Sequence, residues 1–496
     1  MDSGGRAEPN PRDGRDSARL VSLSSALLGD PVPVLHCTSC EEPITDPTIL
    51  QQIERTLGGR GIDAWLTMSP TELAPNAACP RCHGRSLRKD TDILDVWFDS
   101  GVSHEAVLKA RAGLHWPAQL YLEGSDQHRG WFQVSLIPSV ALYDQPPYEQ
   151  VLTHGFVLDG EGRKMSKSFG NVVAPQDVMQ RYGADILRLW VASSDYREDV
   201  RISEDILGQV AESYRKIRNT FRYLLANLYD FDPSRDRVPS DACQELDRWM
   251  LHRTHEVFTT VQAAYEGYQF HEVSRTIYQC CVLDLSACYL DALKDRLYTE
   301  APAAAKRRCA QTVLYDILVI LVKMLAPILV VTTEEIWQAM RDAGWVQESS
   351  VHLALWPQEE TSRVLLDAAS TQRWETFLSM REVVMKALEE QRSHGVIGSP
   401  LEARVTLRVD QPGLKAMCDT HREALAELFV VSDVAVQSHH AASTSSRVPG
   451  LVGVMVERAP GGKCERCWKH LTSIGDEPSH PHLCARCVRV VQRQQE

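Results

Sequence analysis

The sequence predicts a multidomain chain, α/β in its first part and largely α-helical after it, closing with a small α+β module and a cysteine-held ribbon. Three observations carry this reading. A chain of 496 residues is too long for one hydrophobic core and calls for three or four domains. Over residues 91–202 strand-like and helix-like apolar runs alternate, the pattern of an open parallel sheet, whereas from Ser203 onward the spacing turns helical. Eight of the fourteen cysteines fall in four C-x-x-C pairs, which in a reducing compartment read as metal ligands rather than disulfides.

Composition narrows the function classes. The formal charge is −13, from 53 Lys and Arg against 66 Asp and Glu, so no global basic field advertises a nucleic-acid partner and any such contact must be local. The most apolar stretch, Ile317 to Val331, is short and interrupted by Lys323 and Pro327, which reads as a buried helix pair rather than a membrane span. The first thirty residues show no apolar signal region and balance their arginines with acids, so the expected location is cytoplasmic.

Taken in order, residues 1–30 are rich in Gly, Pro, Asp and Arg and are expected to be disordered. Residues 31–90 form a knuckle lobe, where Cys37, Cys40, Cys79 and Cys82 supply four thiolates suited to Zn²⁺; His83 adjoins them and is expected at the surface. In residues 91–202, Gln119 to Leu122 reads as a strand, Glu123 to Gly130 as a polar run at its C-terminal end, and Gln150 to Thr153 as a second strand. Open α/β sheets bind ligands at such strand ends. Pro175 suits a helix start, and Ala184 to Val191 continues as helix.

Between these elements lies a loop, Leu158 to Ser168, in which two lysines, two serines and an arginine crowd into six positions behind Gly160 and Gly162. Two ammonium groups on a flexible backbone suit a phosphate grip that follows charge during reaction. The plain alternative is a solvated turn.

Residues 203–240 begin with Ser203 as an N-cap followed by Glu204 and Asp205, and place Arg215, Arg218 and Arg222 along one stripe. That stripe fits either an RNA backbone or local ion pairs. Residues 241–357 have amphipathic spacing, as in Trp249, Val257, Val261 and Tyr265, and predict a helical bundle. After a polar connector from Pro357 to Leu366, residues 370–445 read as an α+β module. Its elements are a helix from Trp374 to Arg392, a strand from Ala403 to Val409, a helix from Gly413 to Leu428, a strand from Phe429 to Val436 and a polar linker from His439 to Ser446. Residues 460–496 carry Cys464, Cys467, Cys484 and Cys487 at a C-x₂-C-x₁₆-C-x₂-C spacing, a strong zinc-ribbon signal. Arg466, Lys469, Arg486, Arg489 and Arg493 with Trp468 suit RNA; the alternative is a tail that zinc merely folds.

The runs Asp95 to Gly101, Tyr121 to Phe132, Thr153 to Phe156 and Lys164-Met165-Ser166-Lys167-Ser168 together resemble the second half of a class I aminoacyl-tRNA synthetase catalytic domain. Tyr121 to Phe132 resembles the isoleucine-specific branch, with the valine and leucine branches as rivals, and the likeness runs from about Pro33 to the C-terminus. The resemblance implies a Rossmann-like half-domain over residues 91–202 and an anticodon-binding bundle over 241–357. Its implied substrates are ATP with Mg²⁺, L-isoleucine and tRNA(Ile), joined through an adenylate. Glu123, Gly124, Asp126 and Gln127 match positions around the aminoacyl-adenylate. His128, Lys164, Ser166 and Lys167 match ATP-contacting positions, with Lys164 and Lys167 stabilising the leaving pyrophosphate. Trp97, Trp131 and Phe132 are expected to pack. Arg296, Lys306, Arg307 and Arg308 are candidate tRNA contacts.

The family's His-Ile-Gly-His signature and its inserted editing domain are not found in this sequence. The expectation is therefore half an active site: a fragment, a chain completed by a separate N-terminal half, or a tRNA-binding protein that has given up ligation.

Overall fold

The computed structural model describes residues 30–357, 366–439 and 448–493. All but the last residue of the segment 1–30 expected to be disordered, nearly all of the connector from Pro357 to Leu366 and most of the linker from His439 to Ser446 lie outside them. The chain divides into two compact units, Met1–Phe156 and Val157–Glu496.

The first unit opens with three short strands, β1 (Leu35–Cys37), β2 (Pro43–Ile44) and β3 (Leu87–Lys89), in the antiparallel order β2-β1-β3. Helix α1 (Pro47–Arg60) starts at Asp46, whose carboxylate accepts the N–H groups of Thr48 and Ile49 while proline fills the first turn. Leu35, Ile44, Ile53, Trp65 and Leu73 close a small core beside the knuckles. Beyond it come α2 (Val96–Gly101), β4 (Tyr121–Gly124), α3 (Trp131–Tyr143) and β5 (Val151–His154). Strands β4 and β5 pair in parallel, Tyr121 opposite Val151 and Gly124 opposite His154, with α3 as the crossover a parallel pair requires. The two strands lie two residues and one residue later than the sequence indicated, because the buried end is Tyr121, stacked on Trp131 at 4.1 Å between ring centres.

The second unit begins with β6 (Val157–Leu158), then α4 (Pro175–Tyr182), α5 (Ala184–Ser193) and β7 (Val200–Arg201), which pairs in parallel with β6. The expected open sheet is thus present as two separate two-stranded parallel ladders. Ser203 caps α6 (Glu204–Asn227) by accepting the Ile206 N–H, as its sequence position indicated. The bundle follows as α7 (Glu245–Glu266), α8 (Phe270–Gln279), a π-helical stretch Cys280–Tyr289, α9 (Leu290–Thr299), α10 (Ala305–Leu325) and α11 (Val330–Asp342). Ile317, Leu318, Leu321, Val322 and Leu325 are wholly buried in α10, which turns at Ala326 to Leu329 into α11, so Ile317 to Val331 is indeed a buried helix pair. No helix among the described residues is long and apolar enough to cross a membrane.

Helix α12 (Ala368–Ser393) leads into a three-stranded sheet of β8 (Ala403–Val409), β9 (Asp433–Ser438) and β10 (Leu451–Arg458), with α13 (Pro412–Thr420) and α14 (Arg422–Leu428) between β8 and β9. The order is β10-β8-β9, with β8 central, parallel to β9 and antiparallel to β10. Bundle and sheet share one continuous core, in which Trp249 of α7 stacks on Trp374 of α12 at 5.7 Å. Burying a side chain of Leu or Phe size contributes about 1.5–3 kcal/mol, so this shared core couples the two modules firmly. The chain closes with β11 (Gly462–Lys463), β12 (His470–Leu471) and α15 (Ala485–Arg493) around the last four cysteines.

Candidate functional site

In the first unit the sequence-predicted residues gather at the C-terminal end of β4. Glu123 is exposed on the strand, and Ser125–Arg129 forms a single 3₁₀ turn into α3. Gln127 is part of the frame: its side-chain oxygen accepts the Trp131 N–H at 2.9 Å, which starts α3, and its amide donates to Asp126 at 3.3 Å. A Cβ on Gly124 would sit 2.6 Å from an Asp126 carboxylate oxygen, so the glycine leaves room for that side chain where it stands. The His128 ring meets Phe132 edge-on at 5.6 Å. Phe132 is buried and Trp131 donates to the Ser100 carbonyl, as packing residues should; Trp97 departs from that expectation, being 46% exposed. His154 stands opposite Gly124 at the end of β5, and the parallel register puts it beside Glu123 and Gly124.

The second unit holds Lys164, Ser166 and Lys167, so the structure does not gather all predicted residues within one unit. Lys164 and Lys167 are exposed and make no ion pair among the described residues. Between them Met165 packs toward Val178, Trp190, Ile202 and Leu207, which turns both ammonium groups outward. The Ser166 hydroxyl accepts the Phe169 N–H and lies 3.0 Å from the Ser168 hydroxyl, capping the turn Lys167–Phe169. Gly162 takes φ 82°, and Gly160 lies against Ser203, so both glycines meet real backbone demands. The base of the loop is Asp159, whose carboxyl is held well below its ordinary range by the Asn171 amide, the Arg163 N–H and the Arg163 guanidinium.

Both cysteine sets close as expected. In each, the four ligand atoms lie within 4.8 Å of one another. Sulfur separations of 3.5, 3.6 and 3.5 Å in the first set and 3.8 Å in the second sit near the roughly 3.8 Å edge of a tetrahedron with Zn–S of about 2.3 Å. Three knuckles share one turn: Glu41, His83 and Trp468 follow the second cysteine with φ 56°, 61° and 65°. Their N–H groups donate to the carbonyls of Cys37, Cys79 and Cys464. His83 is exposed, as expected of a residue outside the ligand set. Crowding splits the thiols: the Ser39 N–H leads in holding Cys37 down to about 6. The neighbouring thiol of Cys487 leads in holding Cys467 down to about 5. A soft dication answers that crowding, and the donor sets fit zinc.

Several basic residues expected to face RNA instead serve the fold. Arg296 is 3% exposed and bridges Asp247 and Glu427, tying the bundle to α14. Arg307 is 4% exposed and grips Asp230 through both its terminal nitrogens at 2.7 and 2.9 Å, while Arg308 donates to Gln311 and the Asp230 carbonyl. Lys306 alone of that group is exposed. Arg215 pairs with Glu212 and Arg218 with Glu335, which favours the local-pairing reading of that stripe; Arg222 is exposed. In the ribbon, Arg466 donates to the Thr299 carbonyl, and Arg486 and Lys469 both engage Asp295. Trp468 and Arg489 remain exposed, and the Arg493 side chain lies outside the described residues.

Comparison with known families accounts for these modules in order. The family model for tRNA synthetases class I (I, L, M and V) matches residues 23–203, that for the anticodon-binding domain of tRNA ligase matches 247–407, and that for the zinc finger found in FPG and IleRS matches 461–490. Residues 23–203 are thus similar to the class I tRNA synthetases. Within that class the chain's sequence is similar to the isoleucine–tRNA ligases. It is 47% identical to that of Brevibacillus brevis over 94% of this chain and 50% of the relative, and 48% identical to that of Symbiobacterium thermophilum over 93% and 50%. The chain spans about half the length of the curated relatives it matches. A crystal structure of an Agrobacterium radiobacter LeuRS in complex with tRNA and LeuAMS shares the fold at TM-score 0.51 and 19% identity, over 83% of this chain and 49% of that one.

Proposed function

We propose that the chain supplies the lysine-loop and tRNA-binding half of an isoleucine–tRNA ligase, acting in the cytoplasm with a polypeptide equivalent to the half of its relatives that it does not span. The observation that carries this reading is the 47% identity to isoleucine–tRNA ligases over 94% of the chain. In the proposed reaction an isoleucine carboxylate oxygen attacks the α-phosphorus of Mg²⁺-bound ATP. The bond to the β-phosphate oxygen breaks, and pyrophosphate leaves. A terminal ribose hydroxyl of tRNA(Ile) then attacks the acyl carbon, releasing AMP.

Lys164 and Lys167, exposed and without ion pairs among the described residues, hold the pyrophosphate as its charge develops, with Ser166 shaping the turn that presents Lys167. Glu123 accepts hydrogen bonds from the adenylate side, Gly124 and Asp126 line it, His128 meets the nucleotide, and Gln127 acts through the start of α3. Zinc in the sets Cys37, Cys40, Cys79, Cys82 and Cys464, Cys467, Cys484, Cys487 is structural, and the bundle, the α+β module and the ribbon face tRNA.

Isoleucine-dependent ATP–pyrophosphate exchange, with the complementing half added, tests this. Lys167→Ala should depress exchange by a factor on the order of 10²–10³ and leave tRNA binding nearly unchanged. Lost tRNA affinity with normal exchange would make the loop an RNA contact instead. One other reading, a tRNA-binding protein without ligase activity, is favoured by the sequence's lack of a His-Ile-Gly-His signature. Exchange that stays absent after complementation would establish it, and robust charging by the chain alone would refute the need for a second half.

A further inference from the structure

The loop that carries Lys164 and Lys167 leaves and rejoins the framework at two side chains to which the proposed chemistry assigns nothing. Asp159 follows β6 directly and is 8% exposed. Its carboxylate accepts the N–H groups of Glu161 and Arg163 on one oxygen, at 3.0 and 2.8 Å. The Arg163 Nε and the Asn171 amide reach the other, both at 2.9 Å. Asn171, twelve positions later, closes the ring. Its oxygen accepts the Ser166 N–H at 2.9 Å, and its nitrogen also donates to the Lys164 carbonyl at 3.3 Å. One carboxylate and one amide therefore span both ends of the segment.

The two lysines stand differently toward this ring. Lys164 lies inside it: its backbone bridges to Leu158 and its carbonyl is held by Asn171. Lys167 opens the turn Lys167–Phe169 beyond the last hydrogen bond to Asn171, next to Phe169 at 82% exposure and Gly170 at φ 64°. A hydrogen-bonded frame lies under the ring. Strand β6 pairs with β7, β7 runs into Ser203, and Ser203 caps α6 while its Cβ would come within 2.9 Å of a Cβ on Gly160.

We infer that Asp159 and Asn171 are positioning residues that clasp the two ends of the loop together, fixing Lys164 as a stationary grip and leaving Lys167 as the moving one. This rests on the proposed phosphate role of the two lysines. A stationary cation holds the ground-state polyphosphate, while a moving one gains its contact as charge builds on the leaving group, and only the second kind of interaction raises the rate of the chemical step. The acceptors of the clasp are committed to backbone and side-chain donors within the loop, so Asp159 and Asn171 act through the lysines rather than on substrate.

Limited trypsin digestion of the full chain, with cleavage sites identified by mass, tests the clasp without any activity. In the unaltered protein, cleavage after Lys167 should outrun cleavage after Lys164, because proteolysis of a fast-opening segment tracks its open population. Asn171→Ala should speed cleavage after Lys164 by about tenfold or more, as expected for losing hydrogen bonds at both ends of the ring. Cleavage after Arg60, in the other unit, should not change. Asp159→Asn keeps the shape and should do the same if the alanine variant does not fold. In complemented exchange, Asn171→Ala should raise the KM for ATP more than it lowers kcat, with the KM for isoleucine unchanged. Equal cleavage of both variants and the parent after Lys164 would overturn the clasp, and faster cleavage with an unchanged KM for ATP would reduce it to a structural tie. Undiminished exchange by Lys167→Ala would instead remove the phosphate reading, leaving the digestion result to stand by itself.

Discussion

The zinc ribbon should come away from the bundle when Arg486 is replaced, while keeping its metal. Each ribbon knuckle is Cys-x-Arg-Cys, and both knuckle arginines end on the last turn of α9. Arg466 donates to the Thr299 carbonyl, and Arg486 reaches the two Asp295 oxygens at 2.7 and 2.6 Å, with Lys469 at 3.2 Å from the same carboxylate. Cations at a helix C-terminus also meet its negative dipole end. Burial would push the Asp295 carboxyl up, but Arg486 and Lys469 hold it near 2 against an ordinary 3.8, a shift worth about 2 kcal/mol. That stabilisation is present above pH 4 and is lost as pH falls toward 2. With Lys469 still in place, Arg486→Ala should cost about 1–2 kcal/mol of docking, a roughly 5–30-fold rise in the undocked population. Hydrogen exchange over residues 461–490 and the last turn of α9 should speed by that factor, with zinc content unchanged. Asp295→Asn should do the same, and the double variant should show less than the sum. Unchanged exchange, or loss of zinc in step with it, would refute a docking role for the arginine.

Three further outcomes follow from the same structure. Purified chain should contain about two zinc ions, and Cys464→Ser should lose one of them by elemental analysis while the first-unit set keeps its own. Asp230→Ala should destabilise by about 3 kcal/mol in denaturant melts, because it strands the buried Arg307 guanidinium; an unchanged midpoint would contradict the ion-pair assignment. Asp316 is pushed up to about 6 by burial despite Arg237 at 2.5 Å, so its contribution is full below about pH 4 and falls by about 3 kcal/mol as pH rises through 6. Asp316→Asn should therefore match the parent near pH 4.5 and exceed it at pH 7, and a lower melting temperature at pH 7 would show that the ion pair outweighs the burial.

Local signals made much of this fold legible. Ser203 caps its helix, Pro175 starts α4, and β8 runs from Ala403 to Val409 as its alternation indicates, since each depends on neighbours within a few positions. The second zinc set was legible for the same reason: its spacing is set by the turn each knuckle makes. Strand β10 escaped notice because Leu451 to Val456 is almost uniformly apolar and has a register shift at Gly453, and what makes it a strand is β8. The single helix expected from Gly413 to Leu428 is two helices meeting at His421, and the following strand begins at Asp433 rather than Phe429, because Phe429 and Val431 are spent on the core. The arginines were the least legible. Arg296 sits 49 residues from Asp247 and 131 from Glu427, and no local pattern distinguishes it from an RNA-facing cation.

That last failure bears on how a chain of net charge −13 could hold RNA at all. An arginine already facing a carboxylate gains little from a phosphate, since the new pair costs the old one and releases few counterions. Arg215, Arg218, Arg296, Arg307, Lys469 and Arg486 are occupied in this way. The cations left for the proposed tRNA are exposed ones without an ion pair among the described residues, notably Arg222, Lys306 and Arg489. Each phosphate contact should add close to one unit to the slope of log affinity against log salt, so Lys306→Ala or Arg222→Ala should flatten that slope by about one where the residue touches phosphate. Arg307→Ala should leave the slope alone and lower the melting temperature instead. A flattened slope from Arg307→Ala with unaltered stability would mean that the buried pair opens to receive the RNA, and that occupied cations are not spent after all.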